Sequence, residues 1–274
     1  MKSIYEKLKC NIRPILQLLL LIFVLVLPKI SKLTESVKLP ELEASQKWQD
    51  YVFYYAWKSG DWAIGFFFCF VALITIKKLN NKVMFNKGNC YKNYWYVWYW
   101  LCAKILGYLE CNLINVPIYM QFKLVLNDTF AKYNCGTYSK KENDTISVDR
   151  TNFSLETDEV NIIISDTFPL SLNQLPQLKK NLPTLLLSRN NANDVNRYDS
   201  PELVQCVVNE VRNLDICFKK INIYAATNPL NTMNIASSAF KLGGRDNFDE
   251  VRVFQQEREG IRKFSDKGKI VYKR

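Results

Sequence analysis

Three polar clusters, each following an apolar run, could hold a ligand. They are Ser165-Asp166-Thr167 after Ile162-Ile163-Ile164, Ser188-Arg189-Asn190 after Leu185-Leu186-Leu187, and Thr227-Asn228-Pro229-Leu230-Asn231-Thr232 after Ile223-Tyr224-Ala225-Ala226. Arg189 can grip a phosphate through two parallel N–H donors, and Asn or Thr side chains can read a base edge or a ribose. The third cluster leads into a helix, whose first free N–H groups attract anions. The candidate ligand-binding set is therefore Ser165, Asp166, Thr167, Ser188, Arg189, Asn190, Thr227, Asn228, Asn231 and Thr232. The same residue types also have plainer uses at strand ends, where they cap helices and close turns. Asn231 or Thr232 reads equally well as an N-cap.

Other chemistries are poorly served. The 274 residues contain no histidine, which excludes mixed Cys/His zinc sites, Ser-His and Cys-His nucleophile pairs, and any imidazole base. No GxGxxG follows a strand, and Gly243-Gly244-Arg245-Asp246 lacks the Lys-Ser/Thr ending of a Walker A loop. The acids Asp246, Asp249 and Glu250 beside Arg245 and Arg252 read as a solvated, mutually paired surface. The 8 cysteines form no CxxC pair and read as reduced thiols. No catalytic residue, metal or cofactor is expected. If the protein is instead a nucleotide-processing enzyme, Asp166 beside Thr167 is the one plausible seat for its carboxylate.

The elements that position the clusters alternate. Strands are expected over 159–165, 183–188, 220–226 and 250–254. Ser200-Pro201-Glu202 opens a helix with an N-cap, Pro at N1 and an acid in the first turn, and Leu203, Val207, Val208 and Val211 then share one face. A second helix is expected over 232–242, stopped by Gly243-Gly244. Residues 133–149, rich in Ser, Thr, Asn, Gly and Lys, read as a surface loop. Alternating strands and helices predict a parallel, Rossmann-like α/β sheet, with ligands beyond the carboxyl ends of the strands.

The mean hydropathy of −0.14 hides a split, because the apolar residues gather before about residue 110. The run 14–28, extended to 10–30, is long enough to span a bilayer, with Arg13 and Lys29 snorkelling at its ends. Leu27-Pro28-Lys29-Ile30-Ser31 offers no small-x-small cleavage site, which favours an uncleaved anchor over a signal peptide. The run 62–76 carries no charge and follows an aromatic belt at 51–57. Lys2, Lys7, Lys9 and Arg13 precede or open the first span, and Lys77, Lys78, Lys82 and Lys87 close or follow the second. The positive-inside rule then places both termini in the cytoplasm. The segment 94–109, dense in Tyr and Trp but broken by Lys104, suits an interfacial or buried connector. As a third span it would carry the C-terminal domain, with sequons at Asn127, Asn143 and Asn152, to the outside. The expected division is a two-helix membrane module at 1–80, a connector at 81–111 and a cytosolic α/β domain at 112–274. The net charge of +11 suits an anionic partner, either lipid headgroups or a phosphate-bearing ligand.

The stretch 221–229 followed by Ala236-Ser237-Ser238-Ala239-Phe240-Lys241-Leu242-Gly243 resembles the last βαβ unit of SAVED domains, relatives of the CRISPR-associated Rossmann-like (CARF) sensors. Joined to two N-terminal spans, the layout resembles the two-transmembrane SAVED effectors of bacterial CBASS anti-phage systems. The resemblance implies a sensor for a cyclic di- or trinucleotide made by a cognate nucleotidyltransferase. Binding would drive homo-oligomerisation, and the clustered spans would disrupt the inner-membrane lipid and kill the infected cell. No DNA or RNA polymer is implied as a partner. The alternatives are a membrane-anchored adaptor whose α/β domain docks a protein, and the Asp166 enzyme.

Overall fold

A computed structural model describes residues 2–32, 48, 51–52, 54–55, 59–88, 90–141, 144–189, 197–241, 248–257 and 262–274. The chain divides into two compact units, one of residues 1–90 with 100–110, the other of residues 91–99 with 111–274.

The first unit is built on two long helices, α1 (Lys2–Ser31) and α2 (Gly60–Asn80). Their apolar stretches, Cys10–Ser31 and Gly60–Asn80, hold 22 and 21 residues, enough at about 1.5 Å each to cross a hydrocarbon core of about 30 Å. Phe66, Phe67 and Phe70 of α2 and Ile22 and Phe23 of α1 point outward, as lipid-facing side chains do. The helices approach closely at Gly65, where an added Cβ would overlap the carbonyl oxygen of Leu25. Nearer the other end of α2, Asn80 is fully buried and forms a hub. Its Oδ1 accepts from Arg13 Nη2 (3.1 Å) and Gln17 Nε2 (2.9 Å), while its Nδ2 donates to Gln17 Oε1 (2.9 Å) and to the Leu106 carbonyl (2.8 Å). Tyr108 adds its hydroxyl to Gln17 Oε1 at 3.2 Å.

The aromatic segment holds no helix long enough to cross a membrane. Its helix α3 (Tyr96–Trp100) passes into a π turn (Leu101–Ile105) and ends, far short of the roughly 20 residues a membrane crossing needs. Tyr99, Cys102, Leu106 and Tyr108 are buried, whereas Trp95, Val97, Trp100 and Leu109 of the same segment are exposed.

In the second unit the expected strands all form, as part of a six-stranded sheet. The strands are β1 (Ile146–Thr151), β2 (Glu159–Ser165), β3 (Thr184–Arg189), β4 (Lys220–Ala226), β5 (Glu250–Phe254) and β6 (Lys269–Lys273). The spatial order is β6-β5-β4-β2-β3-β1, with the central four strands parallel and both edges antiparallel. Part of the stretch expected as a loop at 133–149 therefore opens edge strand β1. Its sequence Ile-Ser-Val-Asp-Arg-Thr is mostly exposed and carries little apolar alternation, which hid it. Glu250 begins β5 and pairs with Arg252 as expected, but it is buried rather than solvated. Gly243, Gly244, Arg245 and Asp246 lie outside the described residues.

Helices α4 (Ile118–Leu126), α5 (Pro201–Arg212) and α6 (Pro229–Ile235, continued by a π turn over Ala236–Phe240) pack against one another around the sheet. The opposite core joins Ile163, Tyr224 and Phe254 to Leu170, Leu175 and Phe264 from irregular segments, with the Tyr224 and Phe254 rings stacked at 4.5 Å. All eight thiols are free.

Candidate functional site

The chain leaves β2 toward β3, then crosses back through α5 to β4 on the other side of β2. The carboxyl ends of β2 and β4 therefore form the point where strand order reverses, the usual ligand crevice of an open α/β sheet. Asp166 and Thr167 follow β2, Arg189 ends β3, and Thr227 and Asn228 follow β4.

Four of the expected ligand residues meet there in one buried network. Asp166 Oδ2 accepts Asn231 Nδ2 at 2.9 Å and both the backbone N–H and side-chain Nδ2 of Asn228 at 3.4 Å. Asp166 Oδ1 lies 3.5 Å from Arg189 Nη1, and Asp144 Oδ2 lies 3.7 Å from Arg189 Nε. The guanidinium also sits over the Tyr198 ring at 5.3 Å. The amides of Asn228 and Asn231 both donate to the Tyr198 carbonyl, at 2.7 and 3.0 Å, and Ser200 Oγ donates to Asp144 at 2.8 Å. Arg189 is 1% exposed, yet Nε, Nη1 and Nη2 make no hydrogen bond to a described residue. Burial pushes the Asp166 carboxyl above its ordinary pKa. Asn231, Arg189 and Asn228 pull it down again, and the neighbouring Asp144 pushes it further up.

The other candidates do local work. Asn228, not Asn231 or Thr232, is the N-cap of α6. Its Oδ1 takes the Asn231 N–H at 2.9 Å, because Pro229 starts the helix three residues earlier than the spacing suggested. Thr232 Oγ1 donates to the Asn228 carbonyl at 2.8 Å and shares a 2.7 Å bond with Thr227. Ser165 Oγ donates to the Phe168 carbonyl and accepts the Leu170 N–H, closing a turn. Ser188 is a half-buried strand residue on the sheet face opposite Arg189. Asn190 lies outside the described residues.

An open cavity of about 370 Å³ adjoins this network at the carboxyl ends of β4 and β5. Thr167 and Thr227 line it. So do Phe168, Gln255, Gln256 and Arg262, which sequence reasoning missed. The signal was available: Gln255-Gln256-Glu257 follows β5 as the other polar clusters follow their strands. Among the described residues its lining carries one arginine and one glutamate. A larger cavity, about 1020 Å³, opens at the opposite edge, where Glu156, Asp158, Glu210 and Asp215 against Arg150 would repel a polyanion.

Asp166 is enclosed beneath two asparagines, Asn228 and Asn231. Two apolar helices of spanning length and an α/β domain with its crevice at the carboxyl edge define a membrane-anchored α/β protein. Over residues 1–271 the chain matches the SMODS- and Ubiquitin system-associated 2TM effector domain, and it belongs to that family, the two-transmembrane effectors of CBASS antiviral defence that the sequence resembled. Among curated proteins no match is found. Among solved structures the chain is similar to the Cap4 SAVED/CARF-domain containing receptor of Acinetobacter baumannii. With the cyclic trinucleotide 2′3′3′-cAAA bound, that receptor aligns at TM-score 0.40 and 11% identity, covering 57% of this chain and 36% of the receptor. Its 3′3′3′-cAAA complex gives TM-score 0.39, 9% identity and 58% and 38% coverage. The chain thus spans little more than a third of the receptor's length.

Proposed function

We propose that this chain senses a cyclic di- or trinucleotide through its α/β domain and oligomerises in response, so that its clustered spans disrupt the inner membrane. Residues 1–80 would form the membrane module, 81–111 the connector and 112–274 the cytosolic sensor, with both termini in the cytoplasm. The observation that carries this reading is the open 370 Å³ cavity at the carboxyl edge of the sheet, lined by Thr167 and Thr227, which follow the ends of β2 and β4, the two strands where strand order reverses. A polar, open cleft of that size accepts one nucleotide unit of a ligand whose remainder extends along the carboxyl edge. A ligand shared between two copies would favour the assembled form, which is the condition for binding to drive oligomerisation.

The test is calorimetric titration of the full chain in lipid nanodiscs with a panel of cyclic di- and trinucleotides, paired with dye release from vesicles. Saturable binding of one member, with release only in its presence, is the expected result. A folded protein that binds no member, or leaks dye equally with and without nucleotide, overturns the sensor.

A further inference from the structure

We infer that the aromatic segment 94–109 makes a further contact with the membrane without crossing it. Its outer face docks on an anionic lipid surface, with Trp95, Val97 and Trp100 at the boundary between headgroups and acyl chains. Nucleotide sensing is not required for this contact, only the two spans. Helix α3 and the π turn that continues it are apolar on two sides. Tyr99, Cys102 and Leu106 recur at steps of three and four residues and are buried. Val97, Trp100 and Lys104 recur at the same steps on the other side and are exposed. Val97 is 60% exposed, Trp100 41%, and Trp95, just before the helix, 86%. Large apolar side chains grouped on an outer face mark a surface that meets a partner.

The attachment of this segment to α2 says which partner. The Leu106 carbonyl accepts Asn80 Nδ2 at 2.8 Å. Gly107, at φ +76°, lies so close to α2 that an added Cβ would meet Lys77 Cγ at 2.7 Å. Lys77, Lys78 and Asn80 belong to the last turn of α2, where an apolar stretch of spanning length ends in charge. The segment is thus held at the level where a span leaves the hydrocarbon, and Trp100 lies within about 10 Å of Leu106 along the helix. That level is where tryptophan gathers, and where interfacial helices bury an apolar face about 5–10 Å deep. Charge then selects the lipid. From Lys77 to Leu109 the sequence carries Lys77, Lys78, Lys82, Lys87, Lys92 and Lys104 and no acid. Lys92 is buried and the other five are exposed, while Glu110, the first acid, is half-buried in the short strand Glu110–Asn112. Such a run of lysines beside a span attracts anionic headgroups.

The experiment reads tryptophan depth in the full chain, reconstituted in vesicles of phosphatidylcholine with about a quarter phosphatidylglycerol. The lipid is brominated either near the headgroup or near the chain ends, so that bromine quenches the rings it touches. Subtracting the spectra of Trp95→Phe and Trp100→Phe isolates the two emissions, and melting temperatures equal to the parent's confirm that the fold is kept. The expected result is quenching of both by about twofold or more with shallow bromine, less with deep bromine, and weaker quenching once phosphatidylglycerol is left out. Stronger quenching by deep bromine means that the segment crosses the bilayer and overturns the inference. Equal quenching with and without phosphatidylglycerol removes the anionic lipid as partner and overturns it as well. Emission that escapes both bromines yet is shielded from aqueous acrylamide means that a protein covers the face instead, and the lipid contact falls.

Discussion

At the residue scale, Arg189 sits between two carboxylates in a space closed to water, and removing one member of such a group leaves buried charge unmatched, at a cost of about 3–5 kcal/mol. Arg189→Met should therefore lower the melting temperature of the α/β domain sharply at neutral pH. Asp166 already has its pKa raised by burial, so in the variant it takes up a proton more readily still, and the deficit should shrink as pH falls toward the carboxylate range. Thermal melts at several pH values check this; a deficit independent of pH would mean that Asp166 and Asp144 are not the groups Arg189 balances. Glu159 behaves oppositely. Burial tends to raise its pKa, but Lys179 at 2.6 Å and Asn222 at 2.9 Å outweigh that and hold it below the ordinary glutamate value. Its contribution to stability is thus present above the unfolded value and lost as pH falls through the folded one. Lys179→Met should remove part of the acid-side slope of the melting curve and leave Arg189-dependent effects untouched.

At the scale of elements, the central strands were legible because their β-branched and leucine runs are buried on both faces, and α5 because Ser200, Pro201 and Glu202 mark its start. The edge strands β1 and β6 were not, since a partly solvated edge tolerates Asp, Arg and Lys and loses its alternation. The site was half legible for a related reason. Polar residues after a strand mark the carboxyl edge, but sequence alone does not say which are turned inward to one another, as Asp166 and Asn231 are, and which belong to the cavity lining, as Thr167 and Thr227 do. The pairing of α1 with α2 was equally hidden, because it depends on one glycine and one asparagine far apart in the chain. Gly65→Val should force the helices apart at Leu25, and Asn80→Leu should remove the hub that joins Arg13, Gln17 and Leu106. Hydrogen bonds between helices in lipid are worth about 0.6 kcal/mol on average and up to about 1.7. With two of the Asn80 bonds to Gln17 and one to Arg13, the asparagine change should weaken span pairing by about 1–2 kcal/mol. Fluorescence transfer between labels on the two helices during detergent titration measures it; unchanged transfer in both variants would show that these contacts do not hold the spans together.

At the scale of the whole molecule, the sensor reading requires the α/β domain and the source of its ligand to share the cytoplasm. Among the described residues two helices are long and apolar enough to span and the aromatic segment adds no third, and with two crossings both ends of the chain would lie on one side. Which side is set by charge. Lys77 and Lys78 close α2, with Lys82 and Lys87 beyond it, and basic residues near a span resist translocation. A green fluorescent protein fused to the C-terminus should therefore glow in bacterial cells, while an alkaline phosphatase fused there, which matures only outside the cytoplasm, should stay inactive. Replacing the four lysines with glutamine should weaken that bias, lowering fluorescence and giving measurable phosphatase activity. Because the ligand would then be made on the wrong side of the membrane for the misplaced molecules, nucleotide-dependent killing should fall with the fluorescent fraction rather than with total protein. Phosphatase activity from the unaltered chain would place the α/β domain outside the cytoplasm, where no cytosolic cyclic nucleotide reaches it, and the proposed signalling route would fail with it.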